Sequence, residues 1–351
     1  MEVNVITQFL GNRIVLALIA ILLCLLVSFY LQPEIIKRMK ISNHFAIDVN
    51  KKHRPKVPEM GGVSLVLSVT WTITFVGGML VLFDIYEEPG IIYSVISVVF
   101  IASYIGLLDD IAVISRKIKA VGLILAGLPL AVSSPVVEFI NIPFYGNTIF
   151  SDPYWQYILF WLVIVPVGVF AAANAFNMSA GYNGLEAGQT AIVSFFLMSI
   201  AIVTDANEMG ILIFASTFGA SFILYTYNRY PARTFVGDVG TLTMGVLIAV
   251  GAIFTGLELY AVICILPMFY ELIATGYYKW NKIERRWACM DPIINPDGTL
   301  EPPLGSKYYT FFYYLLSKKP MTERKLVNLV LTLYIIIGLF ALIISILSEI
   351  I

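Results

Sequence analysis

Long apolar runs separated by short polar segments dominate this chain of 351 residues, and several runs are too long for the buried helices of a water-soluble domain. A helix that crosses a bilayer needs ~20 mostly apolar residues. That measure predicts about ten, over residues 14–32, 60–83, 91–108, 118–133, 155–173, 188–204, 210–227, 239–254, 259–278 and 328–347, of which the fourth is short. The expected fold class is all-α: a polytopic membrane protein forming a single integral domain over 1–351, with no internal repeat or low-complexity linker. Residues 14–31 lack a small-residue cleavage site and are expected to be a retained anchor.

Charge then orients the predicted helices. If ten crossings alternate, loops 33–59, 109–119, 228–238 and 279–327 share one face and hold 21 of the 22 basic residues; only Arg13 lies opposite. The opposite loops, 84–90, 134–154 and 205–209, carry acids and no Lys or Arg. By the positive-inside rule the basic face is cytoplasmic and both termini are outside. A missed or invented crossing would scatter the basic loops over both faces, so the asymmetry also supports the helix count. Composition adds only that the net charge is −1, which excludes the basicity of a nucleic-acid binder. Three scattered cysteines and two histidines exclude a disulfide framework and a His-rich metal site.

The same face carries the candidate chemistry. Asp109 and Asp110 end the third predicted helix and Lys119 opens the fourth. Adjacent carboxylates resist joint ionisation unless a cation compensates, and at a helix C-terminus they oppose the macrodipole, although a solvated helix end would contain the same pair. The run 174–188 holds Asn174, Asn177, Asn183 and three glycines without a basic residue, so backbone N–H groups and amides can approach a phosphate or base; capped turns use the same residues. Phe235 can stack a base or anchor at the interface, and Asp238 is favoured at a helix N-terminus with or without a ligand. Glu59 precedes a double glycine, and Glu271 alone lies deep in an apolar run, where a charge costs ~2.5–3.5 kcal/mol. Oxygen ligands with so few histidines point to Mg²⁺, or Mn²⁺.

At these residues the chain resembles the polyprenyl-phosphate N-acetylhexosamine-1-phosphate transferases, and within them the eukaryotic or archaeal type that transfers N-acetylglucosamine-1-phosphate from UDP-N-acetylglucosamine to dolichyl phosphate. Val57-Pro-Glu59-Met-Gly61, Gly106-Leu-Leu-Asp109-Asp110 with Lys119, Asn174-Ala-Phe-Asn177, Ala180-Gly-Tyr-Asn183-Gly-Leu-Glu-Ala-Gly-Gln189 and Phe235-Val-Gly-Asp238 carry the likeness. Ala180 stands where peptidoglycan-building relatives usually have Asp, and their histidine-rich last cytoplasmic loop is missing.

The resemblance implies a ten-helix enzyme that uses a UDP-sugar and a dolichyl or polyprenyl phosphate, releases UMP, and begins lipid-linked glycan assembly for N-glycosylation. Its site faces the cytoplasm from a cell or endoplasmic-reticulum-equivalent membrane. Asn177 and Asp238 would hold Mg²⁺; Lys119 would hold a phosphate; Asp109 and Asp110 would organise the lipid phosphate or metal; Glu59, Asn174, Asn183 and Phe235 would bind substrate. The family's Arg-His-Arg-like element is absent from 289–298, leaving Arg285 and Arg286 as substitutes. That departure keeps UDP-N-acetylgalactosamine, and use in cell-wall glycan synthesis, open. A homodimer is left open too. A rival of another class is a nucleotide-sugar transporter, which would place its polar groups and broken helices near mid-membrane rather than in one-sided loops.

Overall fold

A computed structural model describes residues 10–86, 88–133, 139–149, 158–283, 292–303 and 310–350. The first helix, α1 (Arg13–Ile41), opens on an Asn12 side chain that accepts the N–H groups of Ile14 and Val15. It runs through Pro33 well past its apolar stretch, ending in a polar turn that carries Lys37, Arg38 and Lys40. A short hairpin, β1 (Phe45–Ile47) with β2 (Lys56–Pro58), fills most of what the apolar pattern marks as the first basic loop. Then follow α2 (Gly62–Leu82), α3 (Pro89–Ala112), α4 (Arg116–Ala126), α5 (Leu128–Ser133), the hairpin β3 (Phe139–Ile142) and β4 (Gly146–Ile149), and a π-turn (Phe160–Ile164) continuing into α6 (Val165–Ser179). The rest comprises α7 (Leu185–Val203), α8 (Glu208–Asn228), α9 (Gly237–Thr255), α10 (Glu258–Cys264), α11 (Leu266–Trp280), strands β5 (Ile293–Ile294) and β6 (Leu300–Glu301), α12 (Phe311–Lys318) and α13 (Glu323–Ile350).

The all-α membrane architecture is as expected, and two of the ten predicted spans take a different form. Among the described residues eight helices are long and apolar enough to cross a membrane. The predicted ninth is the pair α10 and α11, bent by 71°. Pro267 stands just after this break, and the residue before a proline is disfavoured in helical conformation. The predicted fourth is α4 followed by α5, interrupted at Gly127, where an added Cβ would come 2.7 Å from Pro166 Cα. Arg13, the one basic residue assigned to the opposite face, pairs with Asp205 and, at 3.2 Å, with Glu208, in and beside the acidic 205–209 loop assigned to that face. Glu271 is buried and accepts the Phe311 N–H at 2.9 Å, so this deep acid caps the first turn of α12.

The core is continuous across the helices, and α9 is its most enclosed span. It packs against α2, α3, α6 and α8. Small residues make this possible: a Cβ on Gly62 would meet Gly240 Cα at 2.3 Å, and one on Gly245 would meet the Ala172 carbonyl oxygen at 2.3 Å. Helices in apolar surroundings associate through such close approach, having no hydrophobic gain of their own. The arrangement sets the first turn of α9 among the ends of α3, α4 and α6.

Candidate active site

Asp238 lies at the meeting point of these ends. Gly237 opens α9 with φ +74°, a conformation that glycine adopts without strain, and an added Cβ there would sit 2.7 Å from Asp110 Oδ2. Asp110, from the last turn of α3, accepts the N–H groups of Asp238 (2.7 Å) and Val239 (3.0 Å). It therefore caps the α9 N-terminus from another helix, satisfying donors that have no partner within α9. Asp109 accepts the Ile114 N–H at 2.9 Å and holds Lys119 Nζ at 3.0 Å. Lys119 also pairs with Asp238, and Asn177 donates from Nδ2 to Asp238 Oδ1 (2.7 Å) and to Thr241 (2.9 Å). Three stretches that are far apart in sequence, 109–119, the end of α6 and the start of α9, thus meet at Asp238.

A second set of bonds brings in Glu59 and Phe235. Gly61 and Gly62 donate N–H groups to the carbonyls of Phe235 and Val236 at 2.8 and 2.9 Å, and the Phe235 N–H returns to Pro58 at 2.8 Å. The double glycine before α2 thus lies directly against the segment that leads into α9. Burial pushes the Glu59 carboxyl above the usual carboxylate range; the charge of Asp238 adds to this and His44 opposes it.

Asn177, Asp238, Thr241, Glu59, Asn183 and Phe235 line one cavity of about 380 Å³. Asp109, Asp110 and Lys119 do not line it and meet it through Asp238. Its other wall is a network of residues that no motif in the sequence brings together. Asn183 donates from Nδ2 to Asp48 (3.0 Å) and from its backbone N–H to Glu323 (2.8 Å). Lys51 pairs with Asp48 at 2.9 Å and with Glu323, while Asn50 donates to the Gly181 carbonyl at 2.8 Å. Asp48 and Glu323 are buried, which is tolerable for acids only with such partners. Asn183→Ala removes a donor to Asp48 and a polar group from the cavity wall. Loss of a hydrogen bond to a charged group is on the order of 1.5–3 kcal/mol, so the KM for a substrate held in this cavity is expected to rise about tenfold or more. Steady-state kinetics check this, and an unchanged KM would remove Asn183 from the binding wall.

The loop assignments also change. Asn174 and Asn177, predicted in a loop, belong to α6, and the connection to α7 spans only 180–184. Asn174 turns its amide back to the Phe170 carbonyl at 2.8 Å and is not among the cavity-lining residues. Arg285 and Arg286 lie outside the described residues.

The donor chemistry suits a hard divalent cation. Asp238 stands close to three further carboxyl groups, Asp109, Asp110 and Glu59, and Lys119 pairs with two of the four, Asp109 and Asp238, with amide and hydroxyl groups beside them. Among the described residues no three His, Cys, Asp or Glu are grouped so that they could hold a metal ion by themselves. Mg²⁺ ordinarily keeps waters and substrate phosphates as ligands, so an open protein set suits it.

Among known proteins, residues 92–256 match the glycosyl transferase family 4. The chain is 32% identical over 315 residues to a protein described as a putative glycosyltransferase from Methanocaldococcus jannaschii, covering 90% of this chain and 92% of that one. It is 32% identical over 262 residues to a protein of Saccharolobus solfataricus described as a putative UDP-N-acetylglucosamine–dolichyl-phosphate N-acetylglucosaminephosphotransferase, covering 74% and 76%. A phospho-N-acetylmuramoyl-pentapeptide-transferase of Chloroherpeton thalassium is 29% identical over 321 residues, covering 80% and 81%.

Proposed function

The chain belongs to glycosyl transferase family 4, as a polyprenyl-phosphate sugar-1-phosphate transferase, and we propose that it transfers N-acetylglucosamine-1-phosphate from UDP-N-acetylglucosamine to a dolichyl-type phosphate, releasing UMP. The observation that carries this reading is the junction at Asp238, where Asn177 and Lys119 meet one carboxylate beside the cavity lined by Glu59, Asn183 and Phe235. The similarity to the Saccharolobus solfataricus protein supports the choice of sugar and lipid, and the proposed role is the first step of lipid-linked glycan assembly for N-glycosylation. The concentration of basic residues on the same loops supports a cavity facing the cytoplasm from within the membrane.

In this reading Phe235 stacks the uracil, and Asn183 and Glu59 hold the nucleoside. Asn177 and Asp238 would hold Mg²⁺, with Mn²⁺ as the alternative. When bound, the ion offsets the charge of the donor diphosphate, which otherwise repels an anionic acceptor. Lys119, kept in place by Asp109 and Asp238, presents a fixed ammonium to a phosphate oxygen. Asp110 positions Asp238 through the start of α9. The acceptor phosphate is already anionic near neutral pH, so one of its oxygens attacks the β-phosphorus directly. A new P–O bond forms as the bond to the bridging oxygen of the α-phosphate breaks; that oxygen keeps the electron pair and UMP departs. No proton has to be removed and no aspartyl-phosphate has to form.

A panel of UDP-sugars incubated with purified protein, polyprenyl phosphate and Mg²⁺ tests the reading. UMP is expected only when donor, lipid and ion are all present, with a preference for the N-acetylglucosamine donor. EDTA is expected to bring turnover to background, with recovery on adding Mg²⁺ or Mn²⁺. Turnover that persists in EDTA would remove the metal role, and equal turnover with the galactosamine donor would remove the sugar assignment.

A further inference from the structure

A separate cavity of about 700 Å³ lies on the other side of the 181–184 loop, between the C-terminal end of α8 and the first turns of α13. Three arginines line it, Arg229, Arg233 and Arg324, and none of its lining residues is acidic. Arg233 is held by the Thr226 carbonyl at 2.9 Å and by the Tyr227 ring, whose centre lies 4.1 Å from its guanidinium carbon. The side chains of Arg229 and Arg324 have no hydrogen-bond or ion-pair partner among the described residues. Arg324 moreover stands in the first turn of α13, where the positive end of the helix dipole disfavours a cation. Three guanidiniums around one hollow, two of them unpaired and one at an unfavourable helix end, make a site short of negative charge. Planar forks of N–H donors match phosphate oxygens better than a point charge does.

Each of these two arginines adjoins an anchor of the 181–184 loop. Asn228, next to Arg229, accepts the Gly184 N–H at 3.0 Å. Glu323, next to Arg324, accepts the Asn183 N–H at 2.8 Å. Gly184 has φ +88° and packs so closely on Arg229 that an added Cβ would lie 2.9 Å from Arg229 Cα. Lys51, which pairs with Glu323, lies 4.8 Å from the centre of the Tyr230 ring in the same cavity wall.

We infer that this cavity binds a phosphate-bearing anion, a lipid headgroup or a free phosphate, which bridges Arg229 and Arg324 and steadies the 181–184 loop. Anion binding at the arginines is independent of the activity proposed above, whereas its effect on donor affinity rests on that reading. Bridging the residues beside both anchors restrains the loop that carries Asn183, so the occupied form should bind donor more tightly.

The whole protein, wild type and Arg229→Gln/Arg324→Gln, is titrated calorimetrically with inorganic phosphate. In a second arm it is reconstituted in phosphatidylcholine vesicles with and without phosphatidic acid, and retained lipid is counted by native mass spectrometry. Wild type is expected to bind one probe about tenfold or more tightly than the variant, since two charge-assisted contacts are lost. Response to phosphate assigns a soluble source, and response to phosphatidic acid alone assigns the headgroup. The same probe should lower the donor KM about fivefold in wild type only. Arg229→Lys/Arg324→Lys keeps the charge without the fork and should be intermediate; the single Arg324→Gln decides the matter if the double variant does not fold. Equal binding of both probes by wild type and the Gln variant overturns the site, and binding without a change in KM overturns the coupling. Absence of UMP formation in every form would count against the proposed activity and would leave the titrations readable.

Discussion

Asp238→Ala is expected to lower UMP formation by about 10²–10³-fold while leaving the fold in place, a loss of the size seen when one preorganised electrostatic group is removed from a reacting centre. The carboxylate accepts from Asn177 at 2.7 Å and pairs with Lys119, so its loss frees both groups at once. The fold should survive because Asp110 is bonded to the backbone N–H groups of residues 238 and 239, which the substitution retains. Kinetics at saturating Mg²⁺ and a thermal melt on the same sample separate the two effects. Full turnover by Asp238→Ala would place the chemistry elsewhere, and a collapsed melting transition would make the residue structural.

Gly106→Ala should harm the enzyme from a residue that needs no contact with substrate. Its added methyl would lie 2.5 Å from the Asp238 carbonyl oxygen and 2.6 Å from both the Asp238 carbonyl carbon and Val239 Cα. All three are backbone atoms of a packed helix, which cannot rotate aside as a side chain would. Either α3 and α9 separate, or the first turn of α9 shifts. Overpacking costs about 1–3 kcal/mol, and a displacement of about 1 Å at the reacting centre costs on the order of 10²-fold in rate. Gly78→Ala is the control, because no atom lies within 4 Å of the position its Cβ would take. It should keep wild-type activity and gain slight helix stability, about 0.5–1 kcal/mol. Wild-type turnover and melting in Gly106→Ala would mean that α3 and α9 do not approach this closely.

The sequence revealed most where a physical rule acts locally. Apolar run length located the helices, and the grouping of Lys and Arg separated the loops that meet around Asp238 from the acidic 205–209 loop, where Arg13 finds its partners. Run length could not show that 118–133 breaks at Gly127 or that α10 and α11 are bent by 71°, because apolar composition does not change at either place. Polarity alone predicts a loop from 174, yet Asn174 and Asn177 continue α6; their amides bond to Phe170, Asp238 and Thr241, and α6 does not end until Ser179. The basic-loop pattern includes Lys51, but nothing in the sequence joins it to Asp48 and Glu323. Lys51 and Glu323 are 272 positions apart, and nothing local in either stretch signals the other. The usable clue was an acid beside Thr322 at the start of the last apolar run, a position favoured at a helix N-terminus whatever its partner. Asp109 and Asp110 were seen as a pair, but only the fold separates the one that holds Lys119 from the one that caps α9.

A donor labelled at its β-phosphorus tests the central claim most directly. Incubated with purified protein, polyprenyl phosphate and Mg²⁺, it should pass its label into the lipid fraction as a sugar-diphosphate lipid and leave the released UMP unlabelled. Label that stays in the water-soluble nucleotide as UDP, or donor that crosses sealed vesicles unchanged without any lipid product, would contradict the account.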